Sequence, residues 1–270
     1  MPRLPDPIPA MMKAARTGGR IAHDIRADSV RLAVGTTLKE RGDYVTEADR
    51  AAEDAIRAIL ARARPEAGFV LEESGMVAGG NETWIVDPID GTTNYRKGLS
   101  EFAVAIALMR DGVPVASVIH LPDLGGFYWA HETTSGAWVR PDEDGPDRRL
   151  EADAPLKADD ALVALAIGIG NVGWFASRLQ PILEKVAAIR GTGASSVDLV
   201  RTAAGLFDAY LKPSLKIWDA IPGAYLAAKA GARVTDLNGK PIDNPDCDCV
   251  HCGLIAANPG VYDVLMSLID

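Results

Sequence analysis

Two aspartates stand three residues apart in the segment WIVDPIDGTTNY, which covers residues 84–95. Asp87 directly follows the apolar run Trp-Ile-Val, and Asp90 directly precedes Gly-Thr-Thr. A carboxylate at the end of an apolar strand is costly to bury unless a cation neutralises it. Hard cations such as Mg²⁺ prefer oxygen ligands and keep water molecules that can act as nucleophiles. The pattern therefore predicts metal-assisted chemistry at the end of a core strand.

The turn after the second aspartate predicts an anion site beside that metal. Gly91, Thr92 and Thr93 are expected to lead the chain out of the strand and into a helix. Backbone N–H groups at the start of a helix bind anions such as phosphate. Metal and phosphate would then meet where the strand ends.

Other acidic residues also fall at the ends of predicted elements. Glu72 and Glu73 end the strand-like segment FVLEE, and Asp219 opens a helix in IWDAIPG. Asp49 lies in the first turn of a helix that Thr46 begins. Each position also has a purely structural interpretation: Thr46 and Asp49 match a capping box, Asp219 matches an N-cap, and the glutamate pair matches a solvated strand end.

Hydrophobic periodicity predicts the elements that position these residues. Residues 11–34 are predicted to form a helix after an extended, proline-rich start at residues 1–10. Short strands are predicted at 68–73 and 83–87, and the segments FAVAIALMR, VPVASVIHL and GFYWAH continue as an antiparallel meander. The helix that carries Asp49 has apolar residues at i, i+3, i+4, i+7 and i+8, namely Ala52, Ala55, Ile56, Ile59 and Leu60.

A polar interval rich in Pro and Asp, residues 140–160, predicts a domain boundary. We expect an N-terminal α+β domain at 1–150, with most of the metal ligands, and a C-terminal α/β domain at 151–270, with Asp219 and the substrate-contacting loops. In the second half, strand-like segments alternate with helical ones, including a helix predicted at 174–189. That alternation indicates a helix-covered sheet.

Composition narrows the class of protein. The chain has 270 residues, 48% hydrophobic and 24% charged, with a net charge of −9. The acidic balance argues against binding to nucleic acid or to an anionic membrane, and neither a secretion signal nor a membrane-spanning run is recognised. Cys247, Cys249 and Cys252 are too closely spaced for a structural zinc site and are interpreted as free thiols in a reducing cytoplasm.

The motifs together resemble the inositol monophosphatase family of Mg²⁺-dependent, Li⁺-sensitive phosphomonoesterases. WIVDPIDGTTNY, LEES and WDAIPGAYLAAKAGARV resemble its three signatures, while DYVTEAD and GTGASSVDL resemble its N-terminal catalytic stretch and its substrate loop. The resemblance covers nearly the whole chain in order. It implies an α+β / α/β fold, the five-layer αβαβα sandwich of the inositol monophosphatase and fructose-1,6-bisphosphatase type, commonly as a homodimer.

The resemblance also implies a role for each matched position. Asp49, Thr92 and Glu72 would be the catalytic residues, and Glu73 and Lys39 would support them from behind. Two or three Mg²⁺ ions per site would be bound by Glu72, Asp87, the backbone carbonyl of Ile89, Asp90 and Asp219. The substrate would be bound by Gly91, Thr92, Gly193, Ala194, Ser195, Lys212 and Asp219.

Departures from the family pattern leave the substrate open. Lys212 stands where inositol-hydrolysing members carry an acidic residue, and Ala194 and Ser195 differ from the common substrate loop. The expected activity is hydrolysis of inositol 1-phosphate or a related polyol or sugar phosphate. Alternatives with the same chemistry are a fructose-1,6-bisphosphatase, a 3'(2'),5'-bisphosphate nucleotidase and a histidinol-phosphatase. An alternative of another class is a partner of the transcription machinery.

Overall fold

The chain folds into five layers, helix, sheet, helix, sheet and helix, in a computed structural model that describes residues 6–28, 37–40, 43–141, 145–154, 156–168, 170–244 and 249–269. For residues 38–40, 43, 44 and 249 only the backbone is described. The described helices are α1 (Ile8–Ala27), α2 (Glu47–Ala63), α3 (Thr92–Lys97), α4 (Val172–Ala176), α5 (Leu179–Leu183), α6 (Ser195–Ala203), α7 (Ile217–Lys229), α8 (Cys249–Cys252) and α9 (Pro259–Ile269).

The first sheet has eight strands in the order β10-β9-β8-β7-β6-β5-β3-β4. β3 is parallel to β5 and all other neighbours are antiparallel, so the predicted meander is confirmed. Beside the sheet, β1 (Thr37–Glu40) and β2 (Asp43–Val45) form a separate pair. The strands of the sheet are β3 (Gly68–Leu71), β4 (Gly75–Val77), β5 (Glu82–Asp90), β6 (Ala103–Arg110), β7 (Val113–His120), β8 (Phe127–His131), β9 (Ala137–Arg140) and β10 (Arg148–Leu150).

Side-chain alternation gives each face of this sheet its own helices. Trp84 and Val86 face α1 and α2, whereas Ile85 between them faces the middle layer, because successive side chains of a strand point to opposite faces. In α2, the apolar stripe predicted from the sequence packs on the sheet through Ile56 and Leu60. Gly18 of α1 allows the two helices to approach, since a Cβ there would lie 2.7 Å from Ile56 Cδ1.

The first helix differs from its prediction at both ends. It begins at Ile8, inside the segment expected to be extended, and it ends at Ala27, while residues 29–34 of the predicted helix lie outside the described part of the chain. Pro7 is its N-cap residue and Pro9 lies in its first turn, where a missing N–H removes no intrahelical hydrogen bond. Asp28 has left the helical region, with φ −94° and ψ 90°.

The second sheet has five strands in the order β12-β11-β13-β15-β14, and its first three strands are parallel. β15 is antiparallel to both of its neighbours. Helices α6 and α7 fill the layer between the sheets, and α4, α5 and α9 cover the outer face. The strands are β11 (Leu162–Leu165), β12 (Ala188–Arg190), β13 (Ala209–Lys212), β14 (Arg233–Thr235) and β15 (Leu254–Ala257), and a 3₁₀ turn precedes β11 at Ala158–Asp160.

The prediction of one helix at 174–189 is wrong. The structure has two short helices, Val172–Ala176 and Leu179–Leu183, followed by the edge strand Ala188–Arg190. Pro181 lies within the second helix, and its ring would clash with the carbonyl of residue 177 in a continuous helix. The last residues of the predicted helix pair with β11 instead, Ile189 opposite Val163.

The two sheets share the middle helix layer. The eight-stranded sheet is built from residues 68–150 and the five-stranded sheet from residues 162–257. One hydrophobic cluster includes Ile85 and Ile119 of the first sheet, Tyr210 of the second, and Leu199 and Leu226 of the helices between them. The division into two domains therefore stays a prediction. Within the described ranges, no helix combines the length and the apolar character needed to cross a membrane.

Candidate active site

A bulge at the end of β5 brings Asp87 and Asp90 to one side of the strand. Asp87 pairs with Ala105 of β6, and Asp90 pairs with Ala103. Between these two pairs, β5 therefore has one more residue than β6. On a regular strand, side chains three residues apart would point to opposite faces. The extra residue of a bulge cancels that alternation. The Asp87 carboxylate accepts a hydrogen bond of 3.0 Å from the backbone N–H of Ile89.

Asp219 completes a cluster of three carboxylates. It comes from the first turn of α7, and one carboxylate oxygen of each of Asp87, Asp90 and Asp219 lies within 4.8 Å of the other two. Asp87 and Asp90 are buried, with 1% and 7% of their surface exposed. The cluster therefore combines residues from the first sheet and from a helix of the middle layer.

The electrostatics of the cluster call for a cation. Burial, followed by the charge of Glu72, raises the pKa of Asp87 well above its usual range. Burial, followed by the charge of Asp219, raises the pKa of Asp90 to about 7. Like charges this close repel one another unless they are neutralised. Carboxylate oxygens converging from several directions fit a divalent cation, so these residues suit a metal ion.

Glu72 joins the site from a loop that α2 holds in place. It lines the same cavity, and its carboxyl group hydrogen-bonds with that of Asp87. The loop is fixed by Glu53, which is 1% exposed and accepts hydrogen bonds from the backbone N–H groups of Glu73 and Ser74, at 2.8 and 2.9 Å. Glu73 thus contributes its backbone to this support, while the side chain of Lys39 lies outside the described part of the chain.

Asp49 lies behind Thr92, and the capping box predicted for it is present, while its catalytic role stays a prediction. As the third residue of α2, it accepts hydrogen bonds from the N–H and hydroxyl of Thr46, and the capping box is complete. Its other oxygen lies 3.3 Å from Thr92 Oγ1, which is also 3.1 Å from the carbonyl oxygen of Ile89. Burial raises the pKa of Asp49 to about 6.

The loop at residues 191–195 forms the opposite wall of the cavity. Asn94 in α3 donates hydrogen bonds of 2.7 Å to the carbonyl oxygens of Thr192 and Glu101. The backbone N–H groups of Ser195 and Ser196, at the start of α6, donate to the Asp90 carboxylate. These contacts fix the loop against the bulged end of β5.

At Gly91 there is no space for a side chain between β5 and this loop. Its φ is 87°, and a Cβ there would lie 2.9 Å from Ala194 Cβ and 3.0 Å from the carbonyl oxygen of Glu101. A side chain is thus excluded both by the backbone conformation and by space. The glycine lets β5 turn directly into α3 with the loop packed against it.

The structure brings the predicted site residues together around one cavity of about 650 Å³. Asp49 lies behind its wall, and the remaining predicted residues line it: Glu72, Asp87, Ile89, Asp90, Gly91, Thr92, Gly193, Ala194, Ser195, Lys212 and Asp219. Cys252, from the cysteine-rich segment, is a free thiol outside this lining. Cys247 and the side chain of Cys249 lie outside the described part of the chain.

Several residues at the site were not predicted from the sequence. Glu53 lies one helical turn after Asp49, so i,i+4 spacing on α2 could have indicated it. Asp198 of α6 lines the cavity, and burial raises its pKa to about 6. The apolar part of the wall runs from the last residue of β11 to residue 167. No sequence signal marked it, because a short apolar segment of this kind is typical of ordinary core.

Fold and site together define a class of αβαβα proteins that gather carboxylates between two sheets. The model of the inositol monophosphatase family matches residues 7–267. An inositol-1-monophosphatase of Mesorhizobium japonicum is 38% identical over 86% of this chain and 84% of its own length. A putative Nus factor SuhB of Neisseria meningitidis is 31% identical over 96% and 95%. The solved extragenic suppressor protein suhB of Bartonella henselae superposes with a TM-score of 0.87 at 32% identity, covering 97% and 98%. This chain belongs to the inositol monophosphatase family.

Proposed function

We propose that this protein hydrolyses small phosphate monoesters with Mg²⁺, and that inositol 1-phosphate or a related polyol or sugar phosphate is its substrate. The observation that carries the proposal is the cluster of Asp87, Asp90 and Asp219 beside the contact between Thr92 and Asp49. Membership of the family, and a relative named inositol-1-monophosphatase, support it.

The residues that would hold the cations offer oxygen atoms throughout. They are Glu72, Asp87, Asp90, Asp219 and the carbonyl group of Ile89. An all-oxygen set suits Mg²⁺ better than a softer metal. When bound, two or three such ions would neutralise the phosphoryl oxygens, lower the pKa of a water molecule and stabilise the leaving alkoxide.

Thr92 and Asp49 would orient the attacking water and take up its proton. The water oxygen forms a bond to phosphorus, the bond from phosphorus to the leaving oxygen breaks, and the alkoxide takes up a proton. When the Thr92 hydroxyl donates to Asp49, its lone pairs are free to accept from the water. With a pKa of about 6, Asp49 is mostly ionised at neutral pH yet keeps useful basicity.

The remaining cavity residues would bind the substrate. Backbone N–H groups of Gly91 and Thr92 would hold the phosphate. The alcohol would face Asp219 and the opposite wall, made by Gly193, Ala194, Ser195 and Lys212.

The proposal is tested by measuring inorganic phosphate released from a panel of esters with Mg²⁺ and with EDTA. The panel contains inositol 1-phosphate, fructose 1,6-bisphosphate, an adenosine 3',5'-bisphosphate and histidinol phosphate. We expect Mg²⁺-dependent release from a polyol or sugar phosphate, inhibited by Li⁺. If the nucleotide or histidinol phosphate has the highest kcat/KM, the corresponding alternative replaces the proposal, and release from no ester would end it.

A role beside the transcription machinery is the second candidate. It is favoured by relatives of 31% identity over 96% of the chain that are named as putative Nus factors. The two candidates separate in the Asp90→Asn variant, because a binding role would survive the loss of turnover. Co-purification of the variant with RNA polymerase would support the second candidate.

We further propose that the protein acts as a cytoplasmic homodimer on free small molecules. The free thiol of Cys252 agrees with a reducing compartment. Light scattering on the purified protein measures the subunit number directly.

A further inference from the structure

Lys212 gives the cavity a positive charge beside Ser195 and Asp219. It ends β13, and among the residues described as lining the cavity it is the single lysine or arginine. The carboxylates that line the same cavity are Glu72, Asp87, Asp90, Asp198 and Asp219. An ammonium in this position is therefore a specific feature of the wall that the alcohol part of a substrate would meet.

Lys212 makes one described hydrogen bond and one longer ion pair. Its Nζ donates to Ser195 Oγ at 3.1 Å, and the nearest carboxylate oxygen described, Oδ2 of Asp219, is 3.6 Å away. An ammonium has three donors, and 3.6 Å is beyond an ordinary N–H···O hydrogen bond. The side chain is 23% exposed, so it remains inside the cavity.

Metal binding would commit Asp219, whose carboxylate is the one described closest to Lys212, to a cation. This step rests on the proposed function, in which Asp90 is also a metal ligand. The charge of Lys212 acts on Asp90 and Asp198 as well, and opposes the rise in pKa that burial causes in both. With Asp90 and Asp219 bound to cations, the half-buried ammonium would favour a further anionic partner. A second anionic group on the substrate would supply that partner.

The wall around Lys212 indicates where this second group would lie. Leu211, the residue before Lys212, pairs in parallel with Leu165 of β11. Two residues further along, Ile167 also lines the cavity and is 47% exposed. A phosphate at Gly91 and Thr92 would direct its alcohol towards this wall. We propose that Lys212 determines specificity by binding a second anionic group on the alcohol side, so that the preferred substrates are phosphate esters with such a group, for example sugar bisphosphates.

The test compares two substrates that share the same scissile ester, fructose 1,6-bisphosphate and fructose 1-phosphate. A charge-assisted contact corresponds to a preference of about ten- to hundredfold in kcat/KM for the bisphosphate. We expect Lys212→Met to lower kcat/KM for the bisphosphate about ten- to hundredfold more than kcat/KM for fructose 1-phosphate, and so to abolish the preference. Lys212→Arg should keep the preference. Lys185→Met is the matched control, since Lys185 is exposed and does not line the cavity. An unchanged substrate ratio in Lys212→Met would overturn the proposal.

A binding measurement separates this proposal from the proposed function. Both fructose phosphates are titrated calorimetrically into the Asp49→Asn protein with Mg²⁺, with and without Lys212→Met. We expect the bisphosphate to bind more tightly, and to lose this advantage with Lys212→Met, whether or not the wild-type protein releases phosphate. Equal affinities for the two compounds in the presence of Lys212 would overturn the role of Lys212 alone. Absence of turnover on every ester would instead overturn the proposed function.

Discussion

At the scale of single residues, Asp90 carries two opposing interactions. Burial, followed by the charge of Asp219, disfavours its ionised form and raises its pKa to about 7. The backbone N–H groups of Ser195 and Ser196 favour that form by donating to it. We therefore expect Asp90 to be ionised when a cation is bound, and its negative charge to be unfavourable in the metal-free protein. Asparagine has nearly the same shape as aspartate and no charge, so its substitution at Asp90 separates the effect of the charge from that of the hydrogen bonds.

Asp90→Asn is expected to abolish Mg²⁺-dependent turnover and to leave the fold intact. The loss should exceed about 100-fold, the upper range for residues that merely support a metal ligand. The asparagine oxygen can still accept from the start of α6, and one negative charge is removed from the cluster. We therefore expect a higher melting temperature than wild type in the metal-free protein at pH 8, measured by calorimetry.

The exposed substitution Asp159→Asn serves as the control for Asp90→Asn, because it makes the same change of charge away from the cavity. Wild-type turnover in Asp90→Asn would show that this carboxylate is not a ligand. An unfolded variant would show that its role is structural.

At the scale of elements, helix α2 supports two parts of the site from one face. Asp49 in its first turn contacts Thr92, and Glu53 one turn later holds the backbone of Glu73 and Ser74. Glu72 immediately precedes that backbone. The position of Glu72 in the cavity therefore depends on a buried carboxylate that does not itself line it.

Glu53→Gln should weaken metal binding through Glu72. The glutamine has one acceptor oxygen and one NH₂ group, so it cannot accept from two N–H donors in the way a carboxylate does. We expect Mg²⁺ affinity, measured by calorimetry, to fall about 10- to 100-fold, with the helical content seen by circular dichroism unchanged. Asp54→Asn, on the exposed side of the same helix, should leave affinity unchanged. Equal affinities for both variants would contradict a supporting role for Glu53.

Sequence reasoning captured the elements whose signals are local. The apolar stripe of α2, the capping box at Thr46 and the order of acidic segments were all readable from spacing. The bulge in β5 was not, because it depends on how Asp87 and Asp90 pair with β6. The contact between Asp90 and Ser196 joins residues 106 positions apart, and no local pattern encodes it. Pro181 indicated a break in the helix, but the prediction of one helix at 174–189 followed the apolar residues around it.

At the scale of the whole molecule, the site lies where the two halves of the chain meet. The first sheet supplies Asp87 and Asp90, and the middle helices supply Asp219 and the backbone of Ser195 and Ser196. The repulsion between the carboxylates of Asp87, Asp90 and Asp219 therefore acts across the interface between the first sheet and the middle helices. Folding stability should depend on whether the cluster is protonated, neutralised by metal, or neither.

In the metal-free protein, the carboxylate cluster should contribute less stability as the pH rises from 6.5 to 8. Asp90, with a pKa of about 7, releases in this window a proton that the folded state had held. Burial, followed by the charge of Glu72, also raises the pKa of Asp87 well above its usual range. Unfolded carboxyl groups, with a pKa of about 3.9, are already ionised there. Stability from a raised pKa is present at low pH and lost as the pH passes the folded value.

The histidines His120 and His131 oppose this trend. Burial lowers the pKa of His120 to about 4 and also lowers that of His131, whereas an unfolded histidine, with a pKa of about 6.5, still releases part of a proton above pH 6.5. Each therefore adds some stability as the pH rises, in wild type and in Asp90→Asn alike. The calorimetric melting temperature of wild type relative to that of Asp90→Asn, both with EDTA, should fall between pH 6.5 and 8, and millimolar Mg²⁺ should remove this fall. A relative melting temperature that is flat or rises over this range would contradict a repulsive cluster.

The most direct test of a metal-dependent active site is a crystal structure of the protein soaked with Mn²⁺, recorded with anomalous scattering. We predict an anomalous peak between Asp87, Asp90 and Asp219, with metal–oxygen distances of about 2.1–2.2 Å, and its loss in crystals of Asp90→Asn. A soak that leaves this cluster without an anomalous peak, or a peak bound by other residues of a protein that still hydrolyses phosphate esters, would contradict the assignment.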